Sequence, residues 1–234
     1  MAGAAAAAIV LMCKAPRPGF AKTRLAGAIG DDAAARLAAA FIRDSAARAG
    51  ALAAACDAQA VALHAPDDAG EEIASLLPPR FVCMPQGPGD VGERMARGFS
   101  TLFAAGHGPV LITGSDVPTM PVALLREAFL SVRDGRCDAA IVPVRDGGYC
   151  AIALARPAPA LFLGIAGSTP GVVVATATAA ARAGLRLHRT AGWYDVDEVA
   201  DLATLRAELG GEQPAGCAIM AGDPAPATRA ELGG

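Results

Sequence analysis

Ala6-Ala7-Ala8-Ile9-Val10-Leu11-Met12 runs directly into Cys13-Lys14-Ala15-Pro16-Arg17-Pro18-Gly19-Phe20-Ala21-Lys22-Thr23-Arg24-Leu25. An unbroken apolar run, followed by a loop with two prolines, a glycine and four cations, is the pattern of a buried strand that delivers a polar loop to a sheet edge. The run is too short to span a bilayer. It lacks a basic stretch before it and a cleavage site after it, so it reads as the first strand of a cytoplasmic protein, not as a leader.

Working outward, apolar runs of strand length alternate with longer amphipathic stretches. Strands are expected at Gln59–His64, Arg80–Met84, Val110–Thr113, Ala139–Val144, Tyr149–Leu154 and Leu185–Arg189. Helices are expected from a cap at Asp31 or Asp32 to a stop near Gly50, then at Glu71–Leu77, Val91–Ala105, Pro121 to about Arg133, Gly171–Ala183 and Glu198–Leu209. Such β-α alternation predicts an α/β fold: a mainly parallel sheet with helices on both faces, with the strands around Asp146 free to depart from parallel order. Residues 1–210 read as one domain. The Gly-, Pro- and Ala-rich residues 211–234 read as a loose, flexible C-terminal tail.

The chain has 234 residues, of which 53% are apolar, enough for a large core. Aromatic residues make up only 4% and the net charge is −3, without a basic stripe. That composition argues against a nucleic-acid partner. The six cysteines form no Cys-x-x-Cys pair and lie mostly in apolar surroundings, as reduced thiols do. His64, His107 and His188 are isolated, and no nucleophile elbow supports a Ser-His-Asp arrangement.

In open α/β sheets, ligands bind beyond the carboxyl ends of the strands. Three segments there carry chemistry. The Lys14–Leu25 loop combines a Gly-containing turn with cations and suits phosphate oxygens, although it is not a P-loop. Gly114-Ser115-Asp116-Val117-Pro118 places a carboxylate at the end of a buried strand, where it can hold Mg²⁺ or Mn²⁺ or simply cap the next helix. Trp193-Tyr194-Asp195-Val196-Asp197-Glu198 offers two carboxylates, of which only one is expected to face the site, while the other or Glu198 caps the last helix. Gln86-Gly87-Pro88-Gly89-Asp90 opens a helix and can approach a base or ribose, and Asp146-Gly147-Gly148-Tyr149 reads as a turn between strands.

Taken in order, Lys14-Ala15-Pro16-x-Pro18-Gly19-x-x-Lys22-Thr23-Arg24-Leu25, Gln86…Gly89-Asp90-x-Gly92-Glu93-Arg94-Met95, Gly114-Ser115-Asp116-x-Pro118, Asp146-Gly147-Gly148-Tyr149, Gly164-Ile165-x-x-Ser168-Thr169-Pro170 and Trp193-Tyr194-Asp195-Val196-Asp197 resemble the DUF2064 family. That family belongs to the glycosyltransferase-A superfamily of nucleotide-diphospho-sugar transferases, and the likeness spans about residues 6–209. The resemblance implies a three-layer α/β/α, Rossmann-like GT-A fold with a mixed, mainly parallel sheet. It implies that Lys14, Pro18, Gly19, Lys22 and Arg24 form the nucleotide phosphate loop and that Gln86, Asp90 and Arg94 lie near the base or ribose. It also implies that Asp116 binds the metal, with Asp197, or less readily Asp195, as the second carboxylate, and that Asp146 lies in the acceptor region. Many relatives carry Glu before the Asp-Gly-Gly, where this chain has Arg145, which exchanges a carboxylate for a cation beside the acceptor.

Three functions fit this sequence. The first is a Mg²⁺- or Mn²⁺-dependent glycosyltransferase that takes a nucleotide sugar and a small-molecule acceptor, with Asp116, Lys22, Arg24 and Asp146 as catalytic groups. The second is a nucleotidyltransferase that joins a nucleoside triphosphate to a phosphorylated small molecule and releases pyrophosphate. The third is a non-catalytic nucleotide-binding accessory protein.

Overall fold

The structure, a computed structural model, describes residues 6–165, 171–217 and 221–233. The elements run β1 (Ala7–Lys14), α1 (Thr23–Ile29), α2 (Asp31–Ala55), β2 (Ala58–Ala65), α3 (Gly70–Ala74), β3 (Val82–Pro85), α4 (Val91–Ala104), β4 (Val110–Gly114), α5 (Val122–Arg133), β5 (Ala139–Pro143), β6 (Tyr149–Leu154), α6 (Val172–Arg182), β7 (Leu187–Arg189), α7 (Val199–Leu209) and α8 (Pro226–Glu231). One short 3₁₀ turn, Pro159–Leu161, precedes α6. Ser168, Thr169 and Pro170, part of the fifth family-like motif, lie outside the described residues.

The seven strands form one sheet in the order β3-β2-β1-β4-β6-β5-β7. All pairs are parallel except those of β6, which runs antiparallel to β4 and β5. The Asp146 turn therefore joins an antiparallel pair, as the short β5–β6 spacing requires. Alternate residues of β1 serve opposite faces. Ile9 packs with Leu37, Phe41, Leu124, Phe129 and Leu205 of α2, α5 and α7. Val10 packs with Phe99, Leu102 and Val173 of α4 and α6. The result is the three-layer α/β/α fold expected of this sequence. Among the described residues, no helix is long and apolar enough to cross a membrane.

Three local expectations are corrected. Helix α2 does not stop at Gly50 but continues to Ala55. A single glycine costs a helix only about 1 kcal/mol, its neighbours are mostly alanine, and a Cβ at Gly50 would stand 3.2 Å from the Phe81 ring. Asp31 and Asp32 are not its cap: Gly30 holds that position, and the two carboxylates sit in the first turn, where the helix dipole favours them. Finally, described residues of the stretch expected to be a loose tail pack against the domain. Asp44 of α2 accepts hydrogen bonds from the backbone N–H groups of Ala227 (3.1 Å) and Thr228 (2.8 Å) and so caps α8. Asp223 accepts from Val122 N–H at 2.8 Å at the start of α5, and Cys217 is buried.

Candidate functional site

Parallel order sends the ends of β1, β2, β3, β4, β5 and β7 to one edge of the sheet, and the β5–β6 turn arrives there too. A cleft of about 650 Å³ opens at that edge, a volume typical of small-molecule sites. Lys14, Arg24, Asp90, Asp116, Asp146 and Asp197 are among the residues on its walls.

The loop after β1 is shaped by its own sequence. Phe20 N–H donates to Arg17 C=O at 3.0 Å, closing a turn with Pro18 second and Gly19, at φ +71°, third. That is the arrangement in which proline sets one φ and glycine accepts the positive one. Arg17 then turns away to Glu72 (2.8 Å) and Asp68 (3.4 Å). Lys22 follows in the left-handed region at φ +52°, which a residue bearing a Cβ holds only when its surroundings fix it there.

Those surroundings are the two expected metal carboxylates. The Lys22 Nζ lies 2.7 Å from Asp116 Oδ1 and 2.9 Å from Asp197 Oδ1, and it donates to Val196 C=O at 2.7 Å. The lysine side chain is 5% exposed, whereas Asp116 and Asp197 are 48% and 42% exposed and open to the cleft. Burial disfavours the ammonium, but Asp116 and Asp197 outweigh it, and the Lys22 pKa is raised above the ordinary lysine value. All three N–H groups have protein partners, so Lys22 does not stand free to meet a phosphate here, as the resemblance implies it would. Lys14 and Arg24 are the other loop cations on the cleft wall. Arg24 is 63% exposed and loosely paired with Glu198 at 3.5 Å.

Asp116 is not a helix cap. Helix α5 begins at Val122, whose N–H goes to Asp223. The Asp116 loop is instead anchored from behind by α2. Ser45 Oγ donates to Ser115 C=O at 3.1 Å, and the buried Arg48 guanidinium donates to Val117 C=O at 2.7 Å and also to Pro118 C=O. Sequence reasoning passes over Ser45 and Arg48; the signal available was polar residues on the buried face of an alanine-rich helix.

The second carboxylate segment departs from regular strand geometry. Only Trp193 makes a bridge, to Val144, and Trp193 N–H donates to Pro143 C=O at 3.0 Å. Asp195 and Asp197 both line the cleft, contrary to the expectation that one would turn away: residues two apart in extended backbone point the same way. Asp197 is the one joined to Asp116 through Lys22. Asp195 is pushed up to about 6 by burial and then by the charges of Asp197, Asp146 and Asp116. Glu198 stands at the N-cap of α7, where Asp201 accepts from the backbone N–H groups of Asp197 and Glu198.

Other expected binding residues are committed to the protein itself. The buried Gln86 amide donates to Cys13 C=O (2.8 Å) and Leu63 C=O (2.9 Å) and accepts from Arg94 (3.3 Å), so it clasps the ends of β1 and β2. Arg94 also donates to Gly89 C=O at 2.8 Å. Asp90 forms a capping box with Glu93 at the start of α4. These three rigidify the cleft wall. Asp146 is exposed at the β5–β6 turn, with one oxygen accepting from Gly148 N–H at 2.7 Å. Arg145 lies over the Tyr194 ring at 4.9 Å and points Nη2 toward Cys217 Sγ. The thiols on the cleft wall are poor nucleophiles: burial, with lesser repulsion from Cys83 and Asp116, pushes Cys13 up to about 12, and burial also raises Cys150. The histidines serve structure: His64 bonds Pro66 C=O, His107 bonds Ala6 C=O, and His188 pairs with Glu127.

The carboxylates fit a hard divalent ion in one respect. Two half-exposed carboxylates converge at the cleft, and Mg²⁺ commonly takes one or two carboxylates with substrate phosphates. Among the described residues, no three His, Cys, Asp or Glu side chains converge as a complete metal cage.

The architecture and this edge-of-sheet cleft define the nucleotide-diphospho-sugar transferase fold. A crystal structure from Desulfovibrio desulfuricans G20, described as a "putative nucleotide-diphospho-sugar transferase", is 30% identical over 97% of this chain and 93% of its own, with a TM-score of 0.81. The model of the family described as "Uncharacterized protein conserved in bacteria (DUF2064)" matches residues 48–169, more than half of the sequence. The chain belongs to the DUF2064 family. The fold is shared more distantly with a CMP:2-keto-3-deoxy-manno-octonic acid synthetase complexed with CTP (14% identity, 89% of this chain and 100% of that one, TM-score 0.56). It is also shared with the 4-diphosphocytidyl-2C-methyl-D-erythritol synthase of Anaerococcus prevotii DSM 20548 (10% identity, 88% and 99%, TM-score 0.57). No curated protein matches the sequence.

Proposed function

We propose that this protein is a metal-dependent transferase that uses a nucleotide-activated donor and transfers a glycosyl group from a nucleotide sugar to a small-molecule acceptor. One observation carries the reading: Asp116 and Asp197, from loops far apart in sequence, meet at Lys22 on the wall of a nucleotide-sized cleft. The family resemblance and the description of the Desulfovibrio protein support the same class.

A Mg²⁺ or Mn²⁺ ion held by Asp116 and Asp197 would neutralise the charge that develops on a departing nucleoside diphosphate. The chain's own groups do the rest. Lys14 and Arg24 line the cleft and supply cations to the phosphates. Lys22 holds the two carboxylates in register, and Ser45 and Arg48 hold the Asp116 backbone. Asp146, exposed at the same edge, takes the proton of an acceptor hydroxyl as its oxygen bonds the sugar carbon and the diphosphate oxygen leaves.

A second reading, nucleotidyl transfer with pyrophosphate release, is favoured by the carboxylate pair, which suits a triphosphate equally well. Product analysis separates the two. Incubation with Mn²⁺ and nucleotide sugars is expected to release nucleoside diphosphate when the acceptor is present. Pyrophosphate release from a nucleoside triphosphate and a sugar phosphate would replace the first reading with the second.

A further inference from the structure

The Lys22 ammonium sits between the facing oxygens of Asp116 and Asp197, and its third N–H is bonded to Val196 C=O. The Phe41 ring lies 5.4 Å from Nζ on the protein side, a contact that also favours a cation there. Two carboxylates that would together attract a divalent ion are thus already half neutralised. Their facing oxygens are taken, and the described residues bring no third ligand to complete a cage. The missing oxygens and negative charge are what a diphosphate supplies.

We propose that Lys22 is the resident counter-ion of the Asp116–Asp197 pair and imposes an order of assembly, so that a divalent cation joins the site together with the nucleotide's phosphates and only weakly before them. The inference rests on the metal–nucleotide reading given above, and it makes Lys22 a positioning residue. Its left-handed backbone at φ +52° fits that role, because the two ion pairs hold the residue in place.

The test uses the full chain. Mn²⁺ binding to the protein alone is measured by the EPR signal of the free ion. Nucleotide affinity is measured by calorimetry, with Mn²⁺ and with EDTA, using UDP, GDP, CDP, ADP, TDP and the corresponding triphosphates. Wild type is expected to bind Mn²⁺ alone only in the millimolar range and to bind one nucleotide at least about tenfold tighter with Mn²⁺ than with EDTA. Lys22→Met, which keeps the length and removes the charge, is expected to bind Mn²⁺ alone about tenfold tighter than wild type, whereas Lys22→Arg stays close to it. Tight Mn²⁺ binding by wild type without nucleotide overturns the proposal. So does a folded Lys22→Met chain with no gain in Mn²⁺ affinity. If Lys22→Met does not fold, the wild-type comparison alone decides. If no nucleotide responds to Mn²⁺, the metal–nucleotide reading falls as well. Tight but mutually independent binding of Mn²⁺ and nucleotide removes only the ordered assembly.

Discussion

The Val196 backbone N–H donates to the Asp116 carbonyl oxygen at 2.9 Å, so the segment that carries Asp197 is tied by its main chain to the residue with which Asp197 shares Lys22. The two carboxylates are thereby fixed by backbone geometry and need no ligand to bring them together. Such preorganisation is what electrostatic catalysis requires.

Replacing either acid should therefore abolish function without unfolding the chain. Asp116→Asn and Asp197→Asn are expected to weaken Mn²⁺-dependent nucleotide binding by at least about tenfold, in chains that still fold but melt lower than wild type, because the buried Lys22 ammonium loses one of its two charged partners. Calorimetry beside circular dichroism checks both halves. Full-strength binding by the two variants would remove them from the site.

Arg48 should matter chiefly for stability. Its guanidinium is buried, burial lowers its pKa from the ordinary arginine value, and it holds two carbonyl groups of the Asp116 loop. Arg48→Met leaves those buried carbonyls without a donor and is expected to cost about 3 kcal/mol in denaturant unfolding. A loss within about 0.5 kcal/mol, the usual effect of a surface substitution, would show that the anchor is unimportant.

Asp195 predicts a pH dependence. Its folded pKa, about 6, lies above the ordinary 3.8, so the native state binds more protons than the unfolded state between those values. Its contribution to stability is present at pH below about 4 and is lost as pH rises through 6. Asp195→Asn should accordingly melt higher than wild type at pH 7 to 8, with the gap closing toward pH 4. A gap that widens on acidification contradicts the assignment.

The C-terminal segment should behave as part of the domain. Asp44→Ala removes the acceptor of two backbone N–H groups at the start of α8 and is expected to cost about 1–2 kcal/mol. Proteolysis of wild type should spare residues 221–233, and this variant should be clipped there faster. Rapid clipping of wild type at the same place would restore the loose tail that composition suggests.

How far the sequence determines the site can be judged from particular residues. The strand–loop–helix period locates β1, β4 and the Asp116 turn, because long apolar runs and Gly or Pro breaks are local signals. Composition fails beyond Gly210, where docking depends on Asp44 and Asp223, which lie far away or look unremarkable in sequence. Lys22 and Gln86 mark the same boundary. Each is identifiable as special by motif, yet its partners come from remote segments, at Asp197 and Leu63, and only the fold shows that both side chains bond the protein. Asp195 was legible too: a strand period of two puts residues 195 and 197 on one face, and both line the cleft.

The most direct test of the metal–nucleotide account is a melting-temperature panel of the purified chain with UDP-, GDP-, ADP- and TDP-sugars and the free nucleoside triphosphates, each with Mn²⁺ and with EDTA, run beside Asp116→Asn. A ligand that binds only the folded state must raise the melting temperature. The account predicts a rise with at least one nucleotide that needs Mn²⁺ and disappears in Asp116→Asn. A flat panel, or a rise indifferent to both EDTA and the substitution, would contradict it.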